Sequence, residues 1–191
     1  YTGYKIIIPF FISFISHMLP AIFRVAGYDV DCLPMSDDES GEYGLKYANN
    51  EVCYPATLIV GDIIKAFKNG RYDPTRSVVG ITQTGGQCRA SNYLPMLKKA
   101  LVDAGYPNVP VVSLALGSGI ANEQPAFKIN WAKMLPISLR AVLYSDCINK
   151  FYHAALVREK REGVAKELRD RYLEIGARLI EEKNSRFTNQ F

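Results

Sequence analysis

Two cysteines sit in settings that suit metal or thiolate chemistry. Cys53 lies in Glu51-Val52-Cys53-Tyr54-Pro55-Ala56, just ahead of the apolar positions Leu58, Ile59, Val60, Ile63 and Ile64. Their spacing predicts a helix, and Pro55 stands at its first turn, where a missing N–H costs no hydrogen bond. Cys88 lies in Gln83-Thr84-Gly85-Gly86-Gln87-Cys88-Arg89-Ala90-Ser91-Asn92-Tyr93, between a strand-like run, Val78 to Ile81, and a helical run, Leu94 to Ala104. Gly85 and Gly86 permit a tight turn, and Ser91 or Asn92 is expected to cap the helix. A helix N-terminus carries partial positive charge and Arg89 adds a full one, so both influences favour thiolate, the form that binds metals. Cys53 and Cys88 are therefore the expected metal ligands. Gly85, Gly86, Arg89 and Asn92 are the expected cofactor contacts around them.

Each residue also has a plainer reading. A cysteine is often a small buried hydrophobe, and that reading suits Cys32 and Cys147 better than it suits Cys53 and Cys88. The four cysteines show no Cys-x-x-Cys spacing, which argues against a zinc ribbon or a disulfide framework and suits a reducing cytoplasm. Thr84-Gly85-Gly86 can cradle a phosphate, yet it lacks the Lys-Ser/Thr of a P-loop and the three-glycine spacing of a dinucleotide fold. His17 and His153 read as packing or surface residues. Tyr54, Asn92 and Tyr93 flank the cysteines and are placed to hydrogen-bond their sulfurs.

The elements that must position these residues alternate. Lys5 to Pro9 reads as a strand, the stretch up to Ala26-Gly27 as one helix or two short ones, and Tyr28 to Leu33 as a second strand. Pro34 to Asn50 lacks periodicity and reads as a long loop, with one helical turn allowed at Glu42 to Tyr47. The Cys53 helix then runs to about Lys68, followed by a strand at Ser77 to Thr82, the Cys88 loop, a helix at Tyr93 to Ala104, and a strand at Val109 to Leu116. This alternation predicts an α/β fold, a three-layer and mostly parallel sheet of Rossmann or flavodoxin type. Residues 1–119 form the expected α/β domain and 120–191 a helical C-terminal region. In such a sheet the strand-to-helix loops open at the carboxyl edge, which would bring Cys53 and Cys88 to one side.

The segments Tyr47 to Pro55, Gly61-Asp62, Gly70 to Asp73, Gln83 to Tyr93, Lys99 to Leu101 and Val109 to Val111 together resemble the C-terminal part of the long acyl-CoA dehydratase activase-related proteins. In those CoA-substrate-specific enzyme activases, an ATP-hydrolysing activase is fused to a region similar to the iron-sulfur subunits of 2-hydroxyacyl-CoA dehydratases. The resemblance spans roughly Lys5 to Arg158, with two departures. Gln87 stands where a third glycine is expected, and an Arg-Pro-Tyr-Glu motif is reduced to Val157-Arg158-Glu159. It implies a 4Fe-4S cluster held by Cys53 and Cys88, anaerobic metabolism, an activase domain or subunit as partner, and an acyl-CoA substrate. Clusters take four cysteines, or three with one iron left open, so the remaining ligands would come from Cys32, Cys147, another part of the parent chain, or a second subunit. The alternatives are a binding or assembly domain that has lost the cluster, and a flavodoxin-like nucleotide binder.

Composition bounds these readings. A chain of 191 residues that is 48% hydrophobic can bury a sizeable core. A net charge of +4, with basic and acidic residues interleaved, gives no clustered nucleic-acid footprint. The apolar stretch Ile6 to Phe23 is interrupted by Pro9, Pro20, Ser13, Ser16 and His17, so it reads as part of a folded core and no membrane is expected as partner. The chain begins with Tyr1, which leads us to expect a piece of a longer protein. The helical region, if it does not pack on the sheet, would serve a homodimer.

Overall fold

The computed structural model describes residues 3–49, 51–83, 88–114 and 130–188. Four short strands form one parallel sheet with helices on both sides. They are β1 (Lys5–Ile8), β2 (Val30–Cys32), β3 (Ser77–Ile81) and β4 (Val111–Ser113), in the order β2-β1-β3-β4. Lys5, Ile6 and Ile7 pair with Ser77, Val78 and Val79, while Val79, Gly80 and Ile81 pair with Val111, Val112 and Ser113. β3 lies inside the sheet and all five of its residues are buried, as a strand covered on both faces requires. Its Gly80 has no room to grow: a Cβ there would stand 3.1 Å from Ile6, Ile8 and Leu114 side-chain carbons. The last strand is shorter than its sequence suggests, ending at Ser113, and residues 115 and 116 lie outside the described ones.

Two helices cover one face: α3 (Tyr54–Lys68) and α4 (Tyr93–Asp103). Val60, Ile63, Ile64 and Phe67 of α3 join Leu94, Leu97 and Leu101 of α4 over Ile7, Val79 and Ile81. Each of these large side chains leaves water almost completely, a gain of about 1.5–3 kcal/mol apiece.

The expected loop at Pro34 to Asn50 is instead largely helical, α2 (Asp38–Tyr47). Asp37 starts it by accepting a hydrogen bond from the Ser40 backbone N–H at 3.0 Å, while Ser40 Oγ accepts from the Asp37 N–H at 3.3 Å. This reciprocal cap is built with serine where glutamate or glutamine is usual. Hydrophobic periodicity misses the helix because the positions it buries are Ser40 and Gly44. Small residues there let α2 approach α3 closely: a Cβ on Gly44 would stand 2.1 Å from the Thr57 carbonyl oxygen, and one on Gly61 only 1.7 Å from that of Ser40. Beside this contact, buried Asp62 accepts from Ser36 Oγ at 2.7 Å, and Lys65 pairs with Asp37.

The chain divides into two compact units, one of Tyr1–Phe10 with Leu33–Ile129, the other of Phe11–Cys32 with Asn130–Phe191. The second unit holds α1 (Leu19–Val25), α5 (Trp131–Leu156) and α6 (Val164–Thr188). α1 is shorter than the sequence suggests, because turns occupy residues 13–18. Met18 accepts a hydrogen bond from Ser145 Oγ at 2.8 Å and Arg24 pairs with Glu181 at 2.9 Å. Those bonds group the segment 11–32 with the C-terminal helices, whereas sequence reasoning drew one boundary near 119. No helix among the described residues is long and apolar enough to cross a membrane.

Gly61→Ala is expected to lower unfolding free energy by about 2–4 kcal/mol, because backbone must move to admit the methyl. Gly41→Ala, whose Cβ would meet nothing nearer than the Tyr54 hydroxyl at 3.9 Å, should be neutral or gain up to ~1 kcal/mol from helix propensity. Urea unfolding of the two variants separates close packing from propensity. A second expectation concerns pH. Burial, the largest influence, raises the Asp62 pKa above its ordinary value, so the folded state binds that proton more readily and stability falls as pH rises through the folded pKa. Asp37, held down to about 2 first by Lys65 and then by Ser40, acts oppositely, and its contribution is lost as pH falls from about 4 towards 2. Asp62→Asn should therefore gain stability over wild type as pH rises from 3 to 7 and steepen the acid transition. A pH-independent difference between the two proteins would refute this.

Candidate functional site

Topology brings both cysteine loops to one edge. Cys88 follows β3 at its carboxyl end, and α3 leads back to the start of β3 through Asn69 to Arg76, so the N-terminus of α3 lies at that same end. The sheet order changes direction between β1 and β3, and ligands of open α/β sheets bind outside the carboxyl ends at such a point.

The two cysteines adopt nearly the same backbone conformation. Cys53 is the N-cap of α3 with φ −68° and ψ 145°; Cys88 is the N-cap of a 3-10 turn, Arg89–Asn92, that runs into α4, with φ −69° and ψ 140°. The Cys53 carbonyl accepts from the Ala56 N–H at 2.9 Å, and the Cys88 carbonyl from the Ser91 N–H at 3.1 Å. Neither thiol caps its helix. The backbone carbonyl starts the turn in each case, which leaves the sulfur to other partners.

Tyr93, the first residue of α4, reaches the Cys53 sulfur. Its hydroxyl lies 3.0 Å from Cys53 Sγ, and the charge of Cys88 also acts on it. Burial is the first influence on the phenol; the hydrogen bond to Cys53 and the negative charges of Cys53 and Cys88 add to it, and together they push its pKa up to about 12. Tyr93 therefore keeps its proton at any ordinary pH. It can donate to a Cys53 thiolate, the stronger kind of hydrogen bond.

Gln83 secures the loop from the other side. It follows β3 directly, and its Nε2 donates to the Ser91 carbonyl at 2.9 Å, tying the strand end to the turn that carries Cys88. Its Oε1 is buried and has no hydrogen-bond partner among the described residues. Sequence reasoning quoted Gln83 within the motif but gave it no role; an amide immediately after a strand and before a Gly-Gly turn is the signal that was available.

The other expected contacts fare differently. Gly85 and Gly86 lie outside the described residues, and so does the side chain of Arg89, whose backbone opens the 3-10 turn. Asn92 is the N-cap of α4 by position, yet its side chain makes no capping bond; the third helical residue, Pro95, has no N–H to offer it. Cys32 ends β2, and burial pushes its thiol up to about 11, against a hydrogen bond from Ser16 and with help from Asp31. That suits a small buried hydrophobe better than a ligand. Cys147 is exposed on α5. Among the described residues no group of three or more His, Cys, Asp or Glu side chains could hold a metal ion.

Comparison with protein-family models, curated proteins and solved structures finds no match to this chain.

Removing the Tyr93 hydroxyl should change Cys53 without unfolding the chain. Tyr93→Phe is expected to slow alkylation of Cys53 at pH 7 by roughly fivefold, about 1 kcal/mol of lost thiolate hydrogen bonding. Alkylation at Cys88 should change less. Peptide mapping of iodoacetamide-treated protein reads both sites, and equal rates at Cys53 in the two proteins would exclude the donor role.

Proposed function

We propose that this chain contributes two thiolate ligands to an iron-sulfur site in a protein similar to a 2-hydroxyacyl-CoA dehydratase subunit. The observation that carries this reading is that Cys53 and Cys88, two N-cap cysteines with matching backbone geometry, both open helices at the carboxyl edge of the sheet, with the Tyr93 hydroxyl on the Cys53 sulfur. Soft thiolates with nearby N–H donors form a donor set suited to an anionic iron-sulfur group. Two thiols are fewer than the three or four such a cluster takes, and the described residues supply no third. The remaining ligands on this reading come from outside them, in the parent chain or a second subunit.

When bound, the cluster would supply single electrons for reductive acyl-CoA chemistry, delivered to it by an ATP-dependent activase. The protein's own part is narrower. Cys53 and Cys88 hold the metal end, Tyr93 donates a hydrogen bond to the Cys53 sulfur, and Gln83 fixes the turn that presents Cys88. Hydrogen bonds to cluster sulfurs tune redox potential.

A second reading, a binding or assembly domain that has lost the cluster, is favoured by the shortage of ligands among the described residues. Anaerobic reconstitution with ferrous iron and sulfide separates the two. The iron-sulfur reading expects bound iron and acid-labile sulfide together with a broad absorption near 400 nm. Cys88→Ser should lose at least nine-tenths of that iron while keeping the wild-type circular dichroism spectrum. Full iron retention by Cys88→Ser overturns Cys88 as a ligand, whereas no iron bound by wild type under strict anaerobiosis decides for the assembly domain.

A further inference from the structure

α5 is apolar on two faces. Met134, Ile137, Ala141 and Ser145 face its own unit and are buried. On the other side Leu135, Leu139, Leu143, Cys147 and Phe151 follow one another at every fourth position, and all are exposed: Leu135 by 49%, Leu139 by 58%, Leu143 by 68% and Phe151 by 73%. Val142, 47% exposed, widens this row. An exposed apolar row of this length marks a contact surface.

The row has three properties that select its occupant. First, an i, i+4 row is the ridge used by the commonest class of helix packing, in which the ridges of two helices interdigitate at about −50°. Second, the row is symmetric about Leu143: Leu139 and Cys147 stand equally far on either side, and so do Leu135 and Phe151. An isologous contact sets each residue of the row against a symmetry-related partner and therefore needs apolar residues on both sides of its centre. Third, its area fits. At these exposures the row forms an apolar patch of roughly several hundred Å², the size of the largest patch on a monomer. From Phe151 it continues into a groove of about 370 Å³ between α5 and α6 that Ala155, Leu168 and Tyr172 also line. Row and groove together are of the same order as the roughly 800 Å² per partner of a standard stable interface. Asp146 and Lys150, next to the row, pair with each other at 2.8 Å.

We propose that a second copy of this chain covers this face, with the two α5 helices crossing antiparallel about a twofold axis at Leu143. The contact is independent of the cysteine site and of the function assigned to it.

Sedimentation and light scattering of the intact chain between 1 and 100 µM test this. A particle of twice 21.4 kDa is expected in the upper part of that range. Leu143→Glu should weaken self-association at least 100-fold, whereas Leu45→Glu, an exposed leucine on α2, should leave it unchanged. Because Leu143→Glu could also perturb folding, Leu143→Cys provides a second measurement: residues on a twofold axis meet themselves, so mild oxidation should give a cross-link through position 143, while Arg158→Cys should give none at 158. A monomer at 100 µM, or a dimer that Leu143→Glu leaves intact, overturns the proposal.

Discussion

The contact between α2 and α3 fixes the rest of the cysteine site. Ser40 and Gly44 on one helix, Thr57 and Gly61 on the other, bring two backbones so close that neither glycine has room for a methyl group. Such an approach removes water from both helices and resists their sliding, because the Thr57 and Ser40 carbonyl oxygens lie directly over glycine backbone. Asp37, Ser36, Asp62 and Lys65 then connect the same pair through polar bonds. α3 is thus held by α2 on one side and by the sheet on the other. Its first turn, and with it Cys53, has little freedom to move.

Much of the architecture was legible in the sequence. Short β-branched runs alternating with helical periods place β1, β2, β3, α3 and α4 within a few residues, since each buries large apolar side chains at the spacing its geometry requires. α2 was not legible, because its buried face is serine and glycine, which carry no hydrophobic signal. The grouping of residues 11–32 with the C-terminal helices was hidden for another reason. It depends on pairs such as Met18 with Ser145, far apart in sequence and of types that no local pattern connects.

The candidate site divides in the same way. Local signals, a proline at the first turn and a strand followed by a glycine turn, were enough to put Cys53 and Cys88 at helix starts. Tyr93 was expected to hydrogen-bond a cysteine sulfur, but its choice of Cys53 over the neighbouring Cys88 was not readable, because it requires knowing that α3 and α4 lie side by side on one face of the sheet. Asn92 shows the converse. Its type predicts a capping side chain, but Pro95 stands at the third helical position, where an N-cap side chain would otherwise find an N–H, and Asn92 makes no capping bond.

The shared backbone geometry of the two cysteines does not make them chemically equal. Cys53 is partly buried and meets a phenol that holds its proton up to a pH of about 12; Cys88 is exposed to water. A thiolate at Cys53 is stabilised by a fixed donor that loses no solvation energy as charge develops, since the donor is already in place. At Cys88 water can supply the same stabilisation and can also be displaced, so that sulfur is the one open to incoming groups. Any ligand that both sulfurs share would be anchored at Cys53 and exchanged at Cys88. The asymmetry comes from the surroundings of the two sulfurs, the Tyr93 hydroxyl and the deeper burial at Cys53, because the two N-cap conformations differ by only a few degrees.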